Sequence, residues 1–162
     1  MISPTEVRAT RSGLFRAIVA AWAVAGTLDI GIALTYYPIT AGAEPLGILR
    51  GIASGLVGDA ATQGGLFWAG LGLLCHYLIA LIWTLCFFLI YPRIPSLRRS
   101  RVLTAVLFGT LVSVVMTFVV LPLSQVRQRP FDVHSFAVAT AILWVAIGLP
   151  LTIAAGRYYG RR

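Results

Sequence analysis

The stretch GGLFWAGLGLLCHYLIALIWTLCFFLIY, Gly64–Tyr91, decides the fold class of this chain. It contains no Asp, Glu, Lys or Arg. About 20 apolar residues in helical form cross the hydrocarbon of a bilayer, and this run exceeds that length. Tyr91-Pro92 then ends the helix, because proline has no amide hydrogen to continue it. The natural reading is a membrane span.

Three further stretches read the same way. They are residues 14–37, 102–126 and 135–156, the last with Pro150 as an expected kink. Residues 1–13 are polar and read as a short, poorly ordered tail. The first span opens like a secretory signal, with basic residues before IVAAWAVAG and Ala23-Val24-Ala25 as a cleavage pattern. Apolar character continues past Ala25 to Tyr37, which favours an uncleaved span.

Composition agrees. Hydrophobic residues make up 59% of the 162 residues and charged residues 11%, with a mean hydropathy of +0.89. A soluble domain of this size needs far more charge on its surface. The fold class expected is therefore an all-α membrane protein with one domain, residues 14–162, built on four spans.

The net charge is +8, and all 13 basic residues are arginine. These arginines sit at the ends of apolar segments, which argues against nucleic-acid binding. Ten lie on one side of a four-span arrangement: Arg8, Arg11, Arg16, Arg93, Arg98, Arg99, Arg101, Arg157, Arg161 and Arg162. Only Arg50, Arg127 and Arg129 lie on the other. The positive-inside rule then places both termini in the cytoplasm.

The segment between spans one and two is different. Pro45 opens a helix at its first turn. Gly47, Gly51 and Gly55 recur at every fourth residue, a small-residue ridge that lets another helix come close. A fifth span here would put the Arg93–Arg101 loop on the opposite side from the basic N-terminal tail. Residues 45–61 are thus expected to form an interfacial or re-entrant helix on the outer side.

Two ionisable residues stand inside spans, Asp29 and His76. Such a group is costly in hydrocarbon and faces a partner, a cavity or a transport path. At about 1.5 Å per residue, the two fall at nearly the same depth. Gly26 and Gly72 lie at helical spacing beside them, as do Ala25, Ala33 and Ala80, and such small residues permit close approach. An Asp29–His76 hydrogen bond is expected, serving either as part of a proton relay or as a lock between two helices. A second constellation, Arg50, Ser54, Asp59, Arg127, Arg129, Asp132 and His134, is expected at the outer mouth. It reads either as an anion or headgroup site or as an ordinary solvated rim.

Other chemistries find no support. Cys75 and Cys86 are not a C-x-x-C pair, and 11 helical residues separate them by about 16 Å, too far for a disulfide. His134 lies about 15 Å from His76 along the membrane normal, which argues against bis-histidine haem. No set of metal ligands, no P-loop and no nucleophilic triad occurs in a fitting context. No cofactor or metal is expected, and an enzyme reading lacks a nucleophile.

The runs GTLDIGIAL (26–34), ILRGIASGLVGDAATQGG (48–65) and LGLLCHYLIALIW (71–83) resemble those of uncharacterised small four-span bacterial inner-membrane proteins. The residues that carry the resemblance are Gly26, Asp29, Gly51, Ser54, Gly55, Gly72 and His76. It covers about the first 90 residues and implies a location in the bacterial inner membrane, but no reaction. Two functional classes follow from the residues. One is a proton or small-solute path through Asp29 and His76. The other is a scaffold whose small-residue faces dock a membrane protein partner or a second copy.

Overall fold

The computed structural model describes residues 4–127 and 130–160, with side chains from residue 13 onward. Arg129, Arg161 and Arg162 lie outside the described residues, as do the side chains of Arg8 and Arg11. Five principal helices are present: α1 (Pro4–Ala41), α2 (Pro45–Val57), α3 (Leu66–Ile90), α4 (Arg101–Leu123) and α5 (Val133–Tyr159). No strand occurs among the described residues. All but α2 contain a stretch long and apolar enough to cross a membrane.

Helix boundaries follow local chemistry. α1 begins at Pro4, so residues 4–13 extend the first helix instead of forming a separate tail. Proline suits a first helical turn, and no glycine or further proline interrupts the chain before Gly13. At its far end α1 runs through Pro38 and closes on Gly42, whose φ of 63° is a left-handed conformation open to glycine. Pro45 opens α2, as its sequence indicates. Ser100 caps α4, its hydroxyl accepting from the Leu103 amide at 3.2 Å. Asp132 caps α5 by accepting from the Ser135 amide at 2.7 Å.

Both later helices carry a π-helical turn, Met116–Val120 in α4 and Trp144–Gly148 in α5. Pro122 and Pro150 follow these turns by two residues. A proline inside a helix removes one hydrogen bond and crowds the carbonyl four residues back. A wider turn just before it absorbs that conflict.

The four long helices alternate in direction, so two ends can be distinguished. At the basic end, the start of α1, the end of α3, the start of α4 and the end of α5 meet. The Tyr159 hydroxyl donates to the Phe88 carbonyl at 2.9 Å, and the Tyr91 and Tyr159 rings stack 6.0 Å apart. The main core lies in this half and includes Ala21, Ala25, Phe87, Phe108, Ile147 and Leu151. α4 and α5 come closest here: a Cβ on Gly148 would overlap the Ala105 carbonyl.

α2 lies at the opposite end. Ile30, Leu49 and Ala69 form a smaller core joining α1, α2 and α3. A Cβ on Gly72 would overlap the Leu49 carbonyl, so this glycine is what lets α2 lie against α3. The face of α2 used here carries Leu49 and Ala53, not the glycine ridge. Gly51 has nothing within 4 Å of a Cβ position, Gly47 meets only Glu44 and Arg50, and Gly55 meets the Ser124–Val126 segment at ordinary distances. Gln125 ties that segment to the end of α2, its amide donating to Gly55 and its side chain to Leu56.

Candidate functional site

Asp29 of α1 and His76 of α3 face each other between the two cores. The imidazole Nδ1 is 4.0 Å from the Asp29 Oδ2. That is beyond hydrogen-bond range, so the direct bond expected from the sequence is not made. The reason is a competing partner. His76 Nε2 lies 2.9 Å from the Gly26 carbonyl of α1. A carbonyl only accepts, so Nε2 carries the hydrogen and Nδ1 is the nitrogen turned to Asp29. Two acceptors cannot bond to each other; attraction across this gap requires a proton on Nδ1 or on the carboxyl.

A polar seam fixes the two helices around this point. Trp22 Nε1 donates to the Tyr77 carbonyl at 2.7 Å, and the Thr27 and Tyr77 hydroxyls bond at 2.8 Å. A Cβ on Gly26 would press on the Tyr77 ring at 2.9 Å, so Gly26 makes room for that ring. Gly26 thus serves the site twice, with its bare Cα and its carbonyl. Trp22, Thr27 and Tyr77 had no part in the sequence reading, because their roles depend on which faces of α1 and α3 meet.

Beside the pair lies a cavity of about 250 Å³. Among the described residues, Asp29, His76 and Tyr37 are its only ionisable lining residues, and the rest of the wall is almost entirely apolar. α4 and α5 contribute Val112, Met116, Ala139, Ile142 and Ile147, of which Met116 and Ile147 lie on the two π turns. Ile52 of α2 lines it on one side and Trp83 on the other. Below Trp83, the Phe108 ring lies 6.0 Å away and itself packs on Phe87 at 4.7 Å. A layer of rings therefore stands between the cavity and the basic end.

The second constellation is not drawn into one cluster by any ion pair among the described residues. Arg50 pairs with Glu44 at 2.6 Å and also donates to the Gly64 carbonyl at 3.0 Å. These contacts fasten both ends of α2 to their loops. Ser54 is buried and donates to the Gly51 carbonyl of its own helix. Asp59 and Arg127 are exposed. Asp132 is occupied as the α5 cap, with His134 as its close neighbour, and Arg129 lies outside the described residues. Hydrogen bonds from Ser135, with smaller help from His134, hold the Asp132 carboxyl below its ordinary value. Glu44 was missed because it stands alone between Ala43 and Pro45, with no pattern to tie it to Arg50.

No group of three or more His, Cys, Asp or Glu side chains is placed to hold a metal among the described residues. No protein-family model, no curated protein and no solved structure matches the chain. The class therefore rests on architecture: an all-helical chain whose four long apolar helices are compatible with an integral, multi-pass membrane protein.

Proposed function

We propose that this is a bacterial inner-membrane protein with both termini in the cytoplasm, in which Asp29 and His76 pass a proton or a small solute. One observation carries the reading: the two groups share the wall of a cavity between the helices that is otherwise nearly all apolar. With the Nε2 hydrogen held by Gly26, Nδ1 is the free lone pair of His76: it takes a proton from the Asp29 carboxyl, or returns one to the carboxylate, across the gap. Closing the 4.0 Å gap by about 1 Å brings the two within hydrogen-bonding distance. Passage to either face further requires α2 or the ring layer at Trp83 and Phe108 to part.

The test is proton flux into proteoliposomes that hold a pH dye, under an imposed potential. Wild type conducts, while Asp29→Asn and His76→Ala do not, with all three proteins folded. Conduction that persists in folded Asp29→Asn would make the pair a helix lock.

The rival reading is a scaffold that docks a membrane protein partner or forms a homo-oligomer. Gly31, Gly51 and Gly70 favour it, since all three leave open space around their Cα atoms. Gly51→Leu then breaks an assembly that wild type shows on a native gel.

A further inference from the structure

A second depression lies away from the Asp29–His76 cavity, at the basic end between α3 and α4. Its volume is about 160 Å³, and Phe87, Ile90, Leu97, Thr104, Leu107 and Leu111 are among its walls. The one hydroxyl, on Thr104, is already spent on the Leu97 carbonyl at 2.7 Å. The surface offered is therefore hydrocarbon throughout. It exists because α3 and α4 meet through rings, Trp83 and Phe87 against Phe108, and not through close backbones. A wedge is left open between them, and Ile90, Leu107 and Leu111 stay exposed along it.

The wedge has a direction. From Thr104 to Leu111 it follows α4 for seven residues, about 10 Å. One leaflet of hydrocarbon is about 15 Å deep. The wedge thus matches the upper two thirds of one acyl chain. At the basic end of the wedge the connecting segment carries Arg93, Arg98 and Arg99, and Arg101 opens α4; all four are exposed, with no acid between them. Arg93 and Arg98 already donate to carbonyls, of Leu89 and Pro92. Arg99 and Arg101 flank the Ser100 cap, in the short stretch between Leu97 and Thr104 of the wedge wall.

We propose that this wedge holds one anionic phospholipid, with an acyl chain between α3 and α4 and its phosphate on Arg99 and Arg101. The inference rests on the membrane reading but not on the Asp29–His76 pair. Charge selects the headgroup, and the apolar length selects a chain-bearing ligand over a free anion. The lipid fills the gap that the two helices leave and so acts as part of their interface.

The experiment is native mass spectrometry of the full chain released from detergent containing equal dioleoylphosphatidylglycerol and dioleoylphosphatidylcholine. Wild type retains one phosphatidylglycerol in preference to phosphatidylcholine. The double variant Arg99→Gln, Arg101→Gln reduces that preference about thirtyfold. Leu107→Trp, which fills the wedge and touches no arginine, lowers retention of both lipids. Equal retention of the two lipids by wild type would overturn the proposal, and so would an unchanged preference in the double variant. Unchanged retention in Leu107→Trp would overturn the acyl-chain half. None of these results bears on proton flux, so failure here and failure of the flux reading are separable.

Discussion

The basic half and the α2 half of the molecule use the same device, a glycine at a helix crossing, to opposite ends. In the basic half Gly148 brings α5 onto the backbone of α4, and the space around it is filled by Phe87, Phe108, Ile147 and Leu151. In the α2 half Gly72 brings α2 onto α3, yet beside that contact the chain leaves a cavity and turns Asp29 and His76 into it. The basic half packs around Gly148 into a frame and leaves only an apolar wedge between α3 and α4; the gap in the α2 half is the one that ionisable groups line. The prolines sharpen the contrast. Pro122 and Pro150 each follow a π turn by two residues, and Met116 and Ile147, at the two turns, line the cavity.

Placing a β-branched side chain at each crossing breaks the comparison most severely. Gly148→Val drives a side chain into the Ala105 backbone and costs about 3 kcal/mol of bundle stability, read as loss of the folded fraction in detergent. Gly72→Val meets the Leu49 backbone with similar force, but α2 is short and can lift away. The global loss falls to about 1 kcal/mol, and hydrogen exchange in residues 45–57 rises instead. Equal global losses at the two sites would show that α2 belongs to the frame.

A smaller effect comes from pH at the α2 end. The carboxyl of Asp132 lies below its ordinary 3.8 because Ser135 hydrogen-bonds to the charged form. Its capping contribution is complete above the ordinary value and is lost as pH falls through the lower, folded one. Melting followed from neutral pH down to about 3 shows this acid loss in wild type. Asp132→Asn keeps a capping oxygen at every pH and flattens that part of the curve.

Much of this frame was legible in the sequence. The four long apolar helices follow from run length, the helix at Pro45 from its proline, and the nearness of Asp29 to His76 from rise per residue. The face of α2 was not legible. Gly47, Gly51 and Gly55 and the Leu49–Ala53 pair are both good packing surfaces, and only the partner helix decides between them. The Gly26 carbonyl was equally hidden, since a backbone acceptor leaves no mark in a sequence. That one carbonyl turns an expected direct bond into a 4.0 Å gap. The π turns had a signal in Pro122 and Pro150, but proline alone does not tell a kink from a bulge.

The central claim is that Asp29 and His76 share a proton, and infrared difference spectroscopy across a pH titration tests it most directly. The Asp29 carboxyl band is identified by its loss in Asp29→Asn. The account predicts that His76→Ala shifts both the position of this band and its titration midpoint. A band that titrates identically in wild type and His76→Ala would contradict it.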